Sequence, residues 1–170
     1  SAGVFARADL IVLSPGIESG NPYVLDARLE GKTVVSEIEL ASSFCVGEQI
    51  AVTGTNGKTT TVTLIDHILK CAHVSSRAVG NIGVAFSSIA DKLDALDTAV
   101  IEVSSFQLES MNAFCPHVSC ILNIAPDHLE RHYTMENYIF LKKRIYKNQR
   151  ESEFTVLNFD DKTVRTFFAE

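Results

Sequence analysis

The segment AVTGTNGKTTT at residues 51–61 sets two glycines, a lysine and a run of threonines directly after an apolar strand. Glycine and threonine are weak helix formers, so something other than packing favours them there. Gly54, Thr55, Asn56, Gly57, Lys58, Thr59 and Thr60 have the make-up of a phosphate-binding loop. Glycines let backbone N–H groups turn inward without Cβ clashes. A helix that follows directs its free N–H groups and positive dipole end at an anion. Lys58 can reach the outer phosphates of a nucleotide, and the Thr59 hydroxyl can ligate Mg²⁺. The general pattern G-x-x-x-x-G-K-[ST] is incomplete, because Val52 stands where its first glycine belongs. A glycine-rich turn with no ligand is the alternative. The order strand, loop, lysine, hydroxyl, helix favours the phosphate.

Two further positions put polar groups where they cost energy. AVIEVSSFQLE (99–109) places Glu102 inside a run of Val and Ile. Burying an unpaired carboxylate costs several kcal/mol, and a magnesium ion beside bound phosphates would offset that; an exposed strand end is the other reading. LNIAPDHLERH (122–132) places Asp127 and His128 just past a core strand, in the crevice where open α/β sheets bind ligands. Thr59, Glu102 and His128 are therefore expected on one edge. His67, His73, His117 and His132 lack such support and read as surface or packing residues. From spacing alone, Lys142 and Lys143 read as ordinary solvated lysines.

The elements that must position these groups follow a strand–helix rhythm. Residues 8–17 read as a strand running into a Ser-Pro-Gly turn. Residues 21–32 read as a helix with Asn21 as N-cap, Pro22 at the first position and Gly31 at the exit. A strand at 33–36 and a helix at 37–44 follow, then a break at Gly47 and Glu48. A strand at 49–54 leads to a helix at 58–70, with Leu64, Ile65, Ile68 and Leu69 as its apolar stripe. Strands are expected at 98–105, 118–125 and 154–161, and a long helix at 134–149. The rhythm is that of parallel α/β sheets, with a seam near 45–48.

Composition narrows the function classes. The chain has 170 residues, 46% of them hydrophobic, and a net charge of −6. No basic stripe appears that would neutralise nucleic-acid phosphates. No apolar run approaches the roughly 18 residues needed to span a bilayer, and no signal peptide is visible at the start. Cys45, Cys71, Cys115 and Cys120 form no C-x-x-C pair and read as reduced, mostly buried thiols of a cytosolic protein. Opening at Ser1 without methionine, the chain reads as processed or cut from something longer.

GTNGKTTT, GNIG (80–83), EVSSFQLE (102–109), NIAPDHLERH (123–132) and YIFLKKRIYKNQ (138–149) together resemble the bacterial Mur ligases of peptidoglycan synthesis. LSPGI (13–17), SSFQLE and DHLERH are most similar to the D-glutamate-adding branch. The resemblance implies the end of a Rossmann-like, UDP-substrate-binding domain (1–46), then a partial central P-loop ATPase-type parallel-sheet domain (47–170), with the third domain absent. It implies a cytoplasmic bacterial enzyme whose partners are ATP, UDP-N-acetylmuramoyl-L-alanine and D-glutamate, and which forms an amide through an acyl phosphate. By position, Lys58 and the loop backbone would hold the ATP phosphates. Thr59 and Glu102 would ligate one Mg²⁺. Glu102 and His128 would hold a second, together with a carbamate on Lys142. Asn81 and His128 would approach the UDP-sugar, Ser14, Pro15 and Gly16 its diphosphate, and Ser104 would lie beside the metals. A chain of this extent is not expected to complete ligation alone. The alternatives are a folylpolyglutamate-type ligase, a P-loop switch, which would show an N-K-x-D guanine reader that is not found here, and a non-catalytic binding remnant.

Overall fold

Short apolar segments alternate with helices throughout residues 7–169, which the computed structural model describes. Strand β1 (Leu10–Leu13) pairs in parallel with β2 (Thr33–Ser36), from Leu10 opposite Thr33 to Leu13 opposite Ser36. Helix α1 (Pro22–Leu29) connects them. The Asn21 side chain accepts from the Tyr23 N–H, Pro22 opens the helix, and Gly31 leaves it at φ +76°. Ser36 caps α2 (Glu37–Phe44) through the Glu39 N–H.

A second sheet carries β3 (Glu48–Thr53), β4 (Ser76–Gly80), β5 (Thr98–Glu102), β6 (Val118–Ile121) and β7 (Phe154–Leu157), in the spatial order β4-β5-β3-β6-β7 with every pairing parallel. All five strands therefore end at one edge. The sheet's central strands are buried on both faces, and their residues alternate between two clusters. Val52, Val100, Ala78 and Cys120 face α3 (Lys58–Cys71) through Val62, Ile65 and Leu69. Ala51, Val79, Ala99, Ile101 and Ile121 face the larger cluster. That cluster takes Ile38 and Ala41 from α2, Leu108 from α4 (Ser105–Leu108) and Tyr138 from α6 (Met135–Lys143). The short α5 (Leu129–His132) precedes α6.

Several expectations are corrected. In α3, Leu64 and Ile68 are more than half exposed, and the inward face is Val62, Ile65, Asp66 and Leu69. The stripe is displaced because a carboxylate occupies it: Asp66 accepts from Ser76 Oγ (2.7 Å) at the start of β4 and from Lys70 Nζ (2.7 Å). The helix expected over 134–149 is α-helical only to Lys143 and continues as a 3₁₀ turn over Arg144–Tyr146. Past it, Asn148 and Gln149 donate to the carbonyls of Asn112, Phe114 and Pro116, which fixes a turn where a helix would have run on. The strands end earlier than their apolar runs, at Leu13, Glu102, Ile121 and Leu157. The thiols are free as expected but not mostly buried, since Cys71 is exposed and the other three are half-buried.

Asp66 gives a pH signature. Burial alone would raise its pKa, but the hydrogen bonds from Lys70 and Ser76 and the charges of Lys70 and Arg77 outweigh burial and hold it below the usual carboxylate range. The unfolded chain then binds the proton more readily, so this stabilisation is present above the unfolded pKa near ~3.9 and is lost as pH falls through the lower folded value. Asp66→Asn is expected to cost about 1–3 kcal/mol at neutral pH. The gap from the unsubstituted protein, followed by urea denaturation, should shrink as pH is lowered through the carboxylate range.

Candidate active site

The loop between β3 and α3 is held by the segment after β6. The Thr55 N–H donates to Asn123 O (3.0 Å), the Asn56 N–H to Asn123 Oδ1 (2.9 Å), and Asn123 Nδ2 returns a bond to Asn56 O (3.0 Å). Thr55 Oγ1 meets the Ala125 N–H and the Tyr138 hydroxyl. The amides of Thr55 and Asn56 are thus spent internally. Beyond them, Gly57 sits at φ +82° as an N-cap with no side-chain cap, and the first bond of α3 runs from the Thr61 N–H to Gly57 O. The N–H groups of Gly57, Lys58, Thr59 and Thr60 therefore stand at a helix start with no intrahelical acceptor.

Around this helix start the polar side chains converge. Glu102, only 3% exposed, ends β5. Its Oε2 accepts from Thr59 Oγ1 (2.7 Å) and its Oε1 from Asn81 Nδ2 (3.0 Å). Register places it, since Glu102 is opposite both Val52 and Gly80 in the ladder. Gly80, at φ +99°, lets the backbone turn there, where a Cβ would lie 2.4 Å from Glu102 O. The recorded partners of this buried carboxylate are neutral donors. Together with the Thr59 hydroxyl it forms a pair of hard oxygen donors that fits Mg²⁺.

Lys58 Nζ donates to the carbonyls of Gly54 (2.9 Å) and Thr55 (2.8 Å), which centres its charge on the loop. Lys142, read from spacing as solvated, is 1% exposed. Its Nζ donates to the same Gly54 O (2.9 Å), approaches Thr53 Oγ1 (3.4 Å) and lies 4.7 Å from the Tyr138 ring centroid. Burial first, and then the charge of Lys58, lower its pKa from 10.5 to about 7, against the opposing pull of Asp127. The solvated reading fails because α6 packs its Lys142 face under the loop, a contact between residues 88 positions apart.

Ser14 and Pro15 line one cleft with Gly80, Asn81 and Gly83, of about 390 Å³. Ser104 spends its hydroxyl capping α4 in a reciprocal bond with Gln107. His128 lies at the same sheet edge, with backbone in the left-handed region (φ +51°), a sparsely populated conformation that collects at functional sites. Its recorded neighbours are Asp127, Glu130 and the Phe106 ring rather than Glu102 or Thr59. Among the described residues, no three or more His, Cys, Asp or Glu side chains form a group able to hold a metal. Sequence reasoning missed Asn123, which braces the loop, and Tyr138, which lies under it. The only local signal for Asn123 is an amide directly after an apolar strand.

Known proteins resemble this arrangement. The family model described as the Mur ligase middle domain matches residues 52–170. A UDP-N-acetylmuramoylalanine–D-glutamate ligase of Alkaliphilus oremlandii (strain OhILAs) is 49% identical over 160 residues, covering 94% of this chain and 35% of that protein. The chain spans about a third of the length of the curated relatives it matches. Among solved structures, the UDP-N-acetylmuramate:L-alanyl-gamma-D-glutamyl-meso-diaminopimelate ligase from Neisseria meningitides superposes with TM-score 0.66 at 17% identity, covering 99% of this chain and 58% of that one. The MurF ligase from Thermotoga maritima, solved in complex with ADP, gives TM-score 0.60 at 22% identity, covering 94% and 44%. These two likenesses concern the fold, an α/β arrangement of parallel sheets. Because the middle-domain model matches residues 52–170, well over half of this chain, the chain belongs to the Mur ligases.

Proposed function

We propose that the chain carries the phosphate-binding and metal-binding half of an ATP-dependent ligase that adds D-glutamate to UDP-N-acetylmuramoyl-L-alanine in the bacterial cytoplasm. Residues 1–46 would belong to the UDP-substrate domain and 47–170 to the central ATP-binding domain. The observation that carries the reading is the helix start at residues 57–60, with unspent amides beside the Thr59–Glu102 oxygen pair. The names of the similar proteins support the amino acid added and the nucleotide-linked acceptor.

In this reading the amides of 57–60 and Lys58 hold the ATP phosphates. The acceptor carboxylate attacks the γ-phosphorus, ADP leaves, and an acyl phosphate forms. The amine of D-glutamate then attacks the acyl carbon, and inorganic phosphate departs as the amide forms and the amine loses its proton. A carboxylate alone is a poor acyl donor, because its leaving group would be oxide; phosphorylation supplies a better one. Thr59 and Glu102 would hold one Mg²⁺; a second would take Glu102, a carbamate on Lys142 and His128, whose ring would first have to turn from Asp127 and Glu130. Bound there, the metal supplies positive charge between two anionic reactants. Lys142 suits carbamylation, since an amine with a pKa of about 7 is partly neutral at physiological pH and can attack CO₂. Lys58, sharing Gly54 O with it, is the neighbouring cation for the resulting anion. Ser14, Pro15 and Gly16 would meet the substrate's diphosphate and Asn81 its sugar.

The test is phosphate release by the full-length protein. Release that requires ATP, UDP-N-acetylmuramoyl-L-alanine and D-glutamate together is expected. Preference for GTP, or release indifferent to D-glutamate, would reject the reading.

A further inference from the structure

Arg131 on α5 makes four side-chain hydrogen bonds, and nothing in the chemistry above uses it. Its Nε and Nη2 donate to the two carboxylate oxygens of Glu109, both at 2.9 Å. Its Nη1 donates to Pro15 O (3.0 Å) and Nη2 also to Ile17 O (3.1 Å). The guanidinium lies 4.1 Å from the Phe106 ring centroid, and the His128 ring lies 4.8 Å from the same ring. The ion pair is nearly nine-tenths buried, with side-chain exposures of 11% and 10%.

The two carbonyls it captures flank Gly16. No peptide in the described chain is cis, and in a trans peptide the N–H points opposite to the C=O of the same plane. Drawing Pro15 O toward Arg131 therefore turns the Gly16 N–H away from it, and drawing Ile17 O turns the Glu18 N–H away. Among the described residues neither of these amides has a hydrogen-bond acceptor, whereas the Ile17 N–H between them closes the turn on Ser14 O (3.0 Å). Two amides without an acceptor on one glycine turn are donors that an anion could take up.

We propose that Arg131 is a positioning residue. It fixes the Ser14–Ile17 turn to the segment bearing His128 and so presents the Gly16 and Glu18 amides to the diphosphate of the UDP-linked substrate. The inference rests on the functional reading above. Bidentate pairing with simultaneous capture of two carbonyls is available to a planar guanidinium and not to an ammonium. Arg131→Lys keeps the charge and loses the geometry.

The experiment is steady-state kinetics of full-length Arg131→Lys, with UDP binding measured by calorimetry. A rise of about tenfold or more in KM for the UDP-linked substrate is expected, as is weaker UDP binding, with KM for ATP within about twofold. Glu109→Gln, which leaves the arginine in place but weakens its anchor, should shift the same constant in the same direction by a smaller factor; it serves if the lysine variant fails to fold. An unchanged KM for the UDP-linked substrate, or equal rises for both substrates, would overturn the proposal. An unsubstituted protein with no UDP-substrate-dependent phosphate release would instead sink the functional reading, so the two failures are distinguishable.

Discussion

Glu102→Gln in the full-length enzyme is expected to lower kcat by about 10²–10³-fold while leaving the fold intact. Thr59 Oγ1 and Asn81 Nδ2 are both neutral and both adaptable. The hydroxyl can rotate to accept from an amide NH₂, and the Asn81 amide can turn its oxygen inward. Glutamine also removes the desolvation cost of a buried anion. Stability should thus move by no more than about 1 kcal/mol, checked by chemical denaturation. What glutamine cannot restore is the negative charge beside the Thr59 hydroxyl, and the Mg²⁺ concentration giving half-maximal rate should rise accordingly. A variant with unaltered kcat at ordinary Mg²⁺ would remove Glu102 from the proposed metal site.

The contrast between Glu102 and Lys142 shows where sequence reading works. Glu102 stands out because its neighbours in β5 are local and apolar, so a carboxylate among them is visible as an anomaly. The cap at Asn21 and the glycine-lysine loop are readable for the same reason: each signal lies within a few residues of its consequence. Lys142 gives no such signal. Its burial depends on the Gly54 carbonyl and the Tyr138 ring, brought together by packing of α6 under a distant loop, and only the family resemblance singled it out. Asp66 misled in the opposite direction. A polar residue on the inner face of α3 makes sense only once Ser76 is placed against it, and β4, which carries Ser76, was itself missed because SRAVG is short and interrupted by Arg77. Arg131 is of the same kind, since its acceptors lie on two segments distant from it in sequence, Glu109 and the turn carrying Pro15 and Ile17.

Lys142→Met should move stability and activity in opposite directions. Methionine is close to lysine in volume and unbranched, so it can fill the same space. The hydrogen bonds it forfeits leave few orphans: Gly54 O keeps the bond from Lys58, and Thr53 Oγ1 still donates to Val103 O (2.8 Å). Against that small loss stands the cost of burying an ammonium. With a folded pKa of about 7 and an ordinary value of 10.5, the unfolded chain binds more protons across that window, so the unsubstituted protein gains stability as pH rises through it. The penalty is complete below about pH 7 and gone above about pH 10.5. The methionine variant lacks it. It should be more stable by roughly 1–4 kcal/mol near pH 6, and urea denaturation at rising pH should show the advantage shrinking toward pH 10. Activity should fall by about 10²-fold or more, since methionine cannot form a carbamate and the anion that would face the second metal is lost. A variant that is both less stable at pH 6 and fully active would show that Lys142 is held there for packing and not for chemistry.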